Sequence, residues 1–414
     1  MPNPISTDGL PEVPAKNFCI APFQSTRQNA YGRTSPCAFG AGEWRLEQLT
    51  PMERWHSPQL NKLRQEFIDG KRPKECHRCW DEEDSGKLSL RQRQYEYFPK
   101  DYAEFIQPGL WMQGPKTAVF KSSNVCNLAC RSCGGWDSNT FTEEGKYYAK
   151  TYNTFDEGKI HNRFIPLLPP KHIDFTQYKD IARNLEKIDF FGGEPFLNIT
   201  QLDLLEFLSS SGLSKNITLF YSTNCTNKPT ARLKRAWNNF KRVEISMSID
   251  GLGTEFEYLR WPGKWQEATE VMDEILDLKN QLDCEMYYMA GLTVSVLNIY
   301  SIDTTYNWLK EKIGDVYINM VNSPSYLSLH IMPDSVKLAV KQHITNQEAL
   351  GYLDIKTSNL LDWKQFIIWT KRQDLYRQQN FATVFPEFFK LIENDWNTIS
   401  DLSEDNFHRM DFIK

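Results

Sequence analysis

The chain has 414 residues, 24% of them charged, with a formal net charge of −5. That length predicts two or three domains, one large enough for a real core, and the acidic balance argues against a protein built mainly to grip nucleic acid. No apolar run approaches the roughly 18 residues that span a bilayer, and "MPNPISTDGLPEVPAKNF" has neither a basic nor an apolar signal region, so a cytoplasmic protein with no membrane contact is expected.

The first 100 residues are rich in turns and charge, and a small metal-binding domain is expected over 1–100. Its clear helix signal is "HSPQLNKLRQEFIDGKRP". There Ser57 can cap, Pro58 suits the first helical position, Leu60, Leu63 and Phe67 share a face, and Gly70 with Pro73 ends the run. From about residue 116 short apolar runs alternate with helical patterns. The strand candidates are "TAVFKSS", "KIDFF", "ITLFYST", "RVEISMSI", "MYYMAGLTVSV" and "DVYINMV". Between them lie helix candidates such as "TQLDLLEFLSSSG", "PTARLKRAWNNF", "KWQEATEVMDEILDLKN" and "SIDTTYNWLKEKIG". Six strands alternating with helices predict an α/β domain of parallel βα units over 116–325, interrupted by a long insertion at 137–180. A helical extension follows over 334–414, in which Trp363, Trp369, Phe385 and Phe388 read as core or docking contacts.

Nine cysteines in a chain of this kind do not suggest a disulfide framework. Cys19, Cys37, Cys76 and Cys79 precede the βα region, and Cys126, Cys130 and Cys133 fall within "VFKSSNVCNLACRSCGGWDSN". Clustered thiols in a reducing compartment point to metal. The second group directly follows the first predicted strand, and functional residues collect at the C-terminal ends of parallel strands. A structural zinc site is closed by four ligands, whereas three thiolates around a cubane of four irons leave one iron open. Cys225 and Cys284 stand alone and read as buried residues, Cys284 within a strand.

The C-x3-C-x2-C loop after the first strand resembles the signature of the radical SAM superfamily. That resemblance implies a partial (βα)6 barrel and a [4Fe–4S] cluster on Cys126, Cys130 and Cys133 whose open iron binds S-adenosylmethionine (SAM). Reductive cleavage then yields a radical that takes a hydrogen atom from substrate. "FFGGEPF" resembles the family's GGEP motif, implying that Gly192, Gly193 and Glu194 receive the SAM amino group. "YSTNCTN" and "SMSIDGLG" resemble later motifs, implying that Asn224 lines the SAM site and that Ser248 and Asp250 touch the ribose; Asn298 sits at a similar height after the fifth strand. One departure is Ser132, which stands where many members carry an aromatic residue, so an adenine contact must come from elsewhere.

The segments around Cys19, Cys37, Cys76 and Cys79 resemble the SPASM/twitch auxiliary domain, here ahead of the barrel rather than behind it. The resemblance implies a second [4Fe–4S] cluster, with one tetrahedral zinc ion as the alternative. It also implies an electron donor such as flavodoxin or ferredoxin, and a peptide or protein substrate undergoing oxidation. Dehydrogenation of a small sugar-like alcohol is the competing activity. A non-catalytic zinc or iron–sulfur protein is the reading from a different class.

Overall fold

A computed structural model describes residues 17–37, 44–84, 89–92, 111–152, 163–164, 170, 173–354 and 360–399. All six strand candidates form. They are β4 (Thr117–Lys121), β5 (Lys187–Phe191), β6 (Thr218–Thr223), β7 (Arg242–Ser248), β8 (Glu285–Val294) and β9 (Asp315–Met320). They pair in parallel and in sequence order, as in an α/β fold wound in one direction into an open barrel.

The N-terminal segment adds strands that the sequence pattern did not reveal: β1 (Ser25–Asn29), β2 (Arg33–Ser35) and β3 (Trp44–Arg45). The strand β1 lies parallel to β4 and, with β2 and β3 beyond it, makes the sheet nine-stranded, so the N-terminal region and the βα region share one sheet. Its sequence, STRQN, is wholly polar yet wholly buried, which is why apolar periodicity missed it. Beside it, α1 (Pro58–Ile68) starts as expected, with Ser57 Oγ accepting from the Leu60 amide at 3.4 Å. Leu60, Leu63 and Phe67 face a small separate core with Phe18, Phe23, Trp55 and Trp80. The helix α2 (His77–Asp84) follows.

Alternation along the strands divides the sheet into two faces. Phe120, Phe190, Tyr221, Ile245 and Leu292 lie fully buried on the face covered by helices, and stacking of Phe190 on Phe120 and Tyr221 runs across three strands. Each such ring contributes roughly 1.5–3 kcal/mol by burial. The other face, with Asp189, Phe191, Phe220, Ser222, Glu244 and Ser248, is only half-buried. Its lower end is tied by Lys187–Glu244 at 3.0 Å and Arg242–Glu285 at 3.2 Å.

The crossover helices are α4 (Leu202–Ser210), α5 (Ala231–Trp237), α6 (Thr254–Leu259), α7 (Trp265–Gln281) and α8 (Ile302–Lys312). In the insertion, Phe141–Thr151 forms a helix, labelled α3 here; residues 153–162, 165–169 and 171–172 of that insertion lie outside the described part. The extension forms the predicted helices, among them Leu360–Arg377 and Pro386–Thr398. Trp363, Trp369, Phe385 and Phe388 are buried in the same apolar core as the βα region. Cys284 lies one residue before β8 rather than within it, half-buried against that core. None of the helices described is long and apolar enough to cross a membrane.

Candidate functional site

Parallel strands in register bring the segments after β4, β5, β6, β7 and β8 to one edge of the sheet. The cysteine loop follows β4 and is held by its own hydrogen bonds. Thr140 Oγ1 donates to the Cys126 carbonyl at 2.6 Å, and Ser138 Oγ to that of Leu128 at 2.6 Å. From the far side, the Ala129 amide donates to Trp261 O at 2.7 Å and the Arg131 amide to Leu259 O at 2.8 Å.

The glycine-rich turn after β5 presses directly on this loop. Gly193 adopts φ +61, and a Cβ there would sit 2.4 Å from the Val125 carbonyl oxygen, so no other residue fits without moving the loop. The Glu194 amide donates to that same carbonyl at 2.8 Å. The Glu194 side chain is fully buried, accepting from Thr223 Oγ1 at 2.9 Å, the Phe196 amide at 3.1 Å and the Asn224 amide at 2.7 Å. Burial outweighs these bonds and pushes its carboxyl up to about 7.

Asn224 links that carboxylate to the thiols. While its amide holds Glu194, its Nδ2 lies 3.7 Å from Cys126 Sγ and 3.0 Å from Asn127 Oδ1. Cys225, next along, is buried with φ +60, a left-handed conformation that residues with a side chain seldom adopt. Ser248 is half-buried and faces Ser222 at 3.4 Å between hydroxyls. Asp250 is buried and engaged, pairing with Arg260 at 2.8 Å and accepting from the Thr293 amide at 2.9 Å. Asn298 is also buried. Its Nδ2 donates to Asp250 O at 2.7 Å and Thr293 O at 2.9 Å, and its Oδ1 accepts from the Ser295 amide at 2.8 Å, so its side chain ties β7 to the end of β8.

Sequence reasoning missed Arg260. Its guanidinium lies 3.9 Å from Cys130 Sγ and is fixed by Asp250; nothing in "YLRWPG" announces this. All three thiols are unpaired by disulfides. Burial pushes Cys126 up to about 12, assisted by the neighbouring Cys130, and pushes Cys130 and Cys133 up as well. Three thiols held protonated by burial, two of them also by a neighbouring thiol's charge, with N–H donors already aimed at two of the sulfurs, suit a cationic centre that would bind them as thiolates. The residues therefore fit an iron–sulfur group.

The N-terminal cysteines also converge. Cys19, Cys37 and Cys76 pack against one small core. Burial, then the charge of neighbouring cysteines, pushes Cys76 up, and Cys37 and Cys79 both act on Cys19. Among the described residues no three His, Cys, Asp or Glu side chains are gathered closely enough to hold a single metal ion. His77, inside the C-x2-C pair, is exposed.

No protein-family model matches the chain, and no curated protein matches it. Among solved structures, native anSMEcpe with bound AdoMet and Cp18Cys peptide aligns at 15% identity and a TM-score of 0.34, over 64% of this chain and 61% of that one. Streptococcus suis SuiB bound to S-adenosylmethionine aligns at 13% identity and a TM-score of 0.34, over 87% of this chain and 73% of that one. The matched part thus spans about three fifths of the length of the first of these chains. At such scores the reading of the site stands on this chain's own residues.

Proposed function

We propose that the chain is a radical SAM enzyme whose catalytic [4Fe–4S] cluster is held by Cys126, Cys130 and Cys133. The observation that carries this is Asn224, which reaches Cys126 Sγ with its side chain and Glu194 with its amide, joining a C-x3-C-x2-C loop to a GGEP turn. When bound, the cluster and SAM supply the electron and the radical chemistry that removes a hydrogen atom from substrate.

The chain's own groups bind and orient. Glu194, with Gly192 and Gly193 allowing close approach, offers a buried carboxylate to the SAM amino group. Asn224 and Ser248 border the nucleoside. Asp250 and Asn298 act from behind, the first holding Arg260 beside Cys130 and the second fixing the ends of β7 and β8. Arg260 places positive charge beside a thiolate and so favours the more negative, reduced state of the group it faces.

The substrate class we propose is a peptide or protein that undergoes net oxidation. Supporting it, among the described residues, is a sheet face that stays half-exposed past Phe191, Phe220 and Ser248. In this reading Cys19, Cys37, Cys76 and Cys79 hold a second cluster that accepts the substrate's electron, and a flavodoxin or ferredoxin reduces the first.

The test is anaerobic reconstitution of wild type and of Cys126→Ala/Cys130→Ala/Cys133→Ala, followed by metal analysis and incubation with SAM and dithionite. About 8 Fe falling to about 4, at four irons per cubane, with 5′-deoxyadenosine formed by wild type alone, supports the proposal. About 4 Fe with one zinc in wild type reassigns the N-terminal site. No iron and no SAM cleavage in any sample would sink the enzyme reading.

A further inference from the structure

We propose that the C-terminal extension is a clamp on the cysteine loop, and that Arg131 and Asp374 are its positioning residues. This rests on the loop being the cluster site. Arg131 lies between Cys130 and Cys133, and its side chain is 1% exposed. Its guanidinium enters a socket in which Asp374 Oδ1 accepts at 2.5 Å, Gln379 Oε1 at 3.0 Å and the Tyr258 carbonyl at 3.1 Å, with the Tyr258 ring beneath at 3.6 Å. Asp374 and Gln379 belong to the extension, at and just past the end of Leu360–Arg377.

The socket is itself fixed on several sides. Tyr258 Oη donates to Asp374 Oδ1 at 2.7 Å, the Phe381 amide donates to Oδ2 at 2.7 Å, and Gln379 Nε2 donates to the Glu257 carbonyl at 3.1 Å. A second contact from the same helix grips the element that follows the loop. Arg377 and Glu144 are both fully buried and pair at 2.8 Å, and Glu144 also accepts from Tyr148 Oη at 2.7 Å. From the insertion rather than the extension, Arg163 donates to the Arg131 carbonyl at 2.7 Å.

Apolar residues would fill such a space at lower desolvation cost, so a buried ion pair is weak evidence for stability and better evidence for fixed register. Here the register concerns a residue flanked by two thiols. Moving Arg131 by one hydrogen-bond length moves Cys130 and Cys133 with it. The extension therefore completes the loop, although residue 374 is 243 positions from residue 131.

Full-length Asp374→Asn, Arg131→Met/Asp374→Asn and Leu375→Ser (a 66% exposed neighbour, as control) separate clamp from general packing. Amide hydrogen exchange on the metal-free chain reads loop position without any cluster. Asp374→Asn should speed exchange across 128–133 by ~tenfold or more while 17–37 stays unchanged, because only the local opening is made easier. In reconstituted protein it should selectively weaken and broaden the loop cluster's EPR signal, and lower loop iron to below ~2 of four. The double variant, which leaves no unpaired buried cation, should recover global stability but keep the fast exchange at 128–133, and Leu375→Ser should match wild type; wild-type protection at 128–133 in the double variant would overturn the clamp. Unchanged exchange at 128–133, or an equal rise throughout the chain, overturns the clamp. A wild type that takes up no loop iron overturns the functional reading instead, while the exchange result still decides whether the extension positions the loop.

Discussion

The two cysteine sets solve the problem of gathering thiols in opposite ways. Cys126, Cys130 and Cys133 come from eight consecutive residues on one loop, and the loop is braced by strand ends, the Gly193 turn and Trp261. Cys19, Cys37, Cys76 and Cys79 come from three separate segments, and the first three pack on a small core of Phe18, Phe23, Trp55, Leu63, Phe67 and Trp80. The first set is prepared by a large fold; the second, if it holds the proposed metal, would be part of what keeps a small region together. The difference predicts that metal is a ligand for one and a folding partner for the other.

The largest expected effect follows from removing metal. Chelation should leave hydrogen exchange in β4 to β9 slow, while 17–37 and 74–84 lose protection by several kcal/mol, the scale on which small metal-dependent domains depend on their ion. Equal protection in both regions before and after chelation would erase the contrast. It would mean that the small core and the shared strand pairing of β1 with β4 suffice.

Next in size is a lesion that spares the N-terminal set. Gly193→Ala places a methyl group 2.4 Å from Val125 O at φ +61, which should cost ~3–4 kcal/mol through clash and backbone strain. Because the strain falls on the residue before Cys126, loop iron should be lost and N-terminal metal retained. A variant with full loop iron and an unchanged melting temperature would show that the loop yields more easily than its bracing implies.

How much of this was visible beforehand depended on local pattern. The six strands of the βα region alternate or run apolar, and the cysteine loop and GGEP turn are contiguous in sequence, so their placement after strands could be read directly. The strand β1 could not be: STRQN has no apolar residue, and its burial comes from neighbours distant in sequence. Arg260 was hidden for a related reason, since its role arises only when the turn after α6 folds back on Cys130. The partnership of Arg131 with Asp374 joins residues 243 positions apart, and no spacing rule connects them. Asp250 and Asn298 could be placed after strand ends from the sequence, but which groups they hold depends on side-chain geometry.

Glu194 gives the braced site a pH signature between acid and neutral pH. Its carboxyl rises from 4.5 to about 7 in the folded chain, chiefly by burial. A carboxyl that keeps its proton longer when folded favours the folded state at low pH, and that contribution is lost as pH rises from about 4.5 through about 7. The metal-free chain should therefore lose ~3 kcal/mol over this window from this residue, at ~1.4 kcal/mol per unit. Denaturant melts of wild type and Glu194→Gln across pH 4.5–8 read the difference in slope. Parallel curves would mean that Glu194 is not held in the desolvated position described.

The smallest expected effect probes the N-terminal region most finely. Ser57 caps α1 through the Leu60 amide, and its replacement by alanine should cost ~1 kcal/mol. If the region folds only when metal binds, that cost must come out of the apparent binding free energy, so the metal dissociation constant should weaken about fivefold. If the region is already folded without metal, the cap is present in both states and cancels, leaving affinity unchanged while the melting temperature still drops. Titration of the metal-free N-terminal thiols in wild type and Ser57→Ala, with the 126–133 thiols replaced in both, therefore measures whether metal and fold are one equilibrium or two. The fivefold shift supports the contrast between the two sites, and its absence removes it.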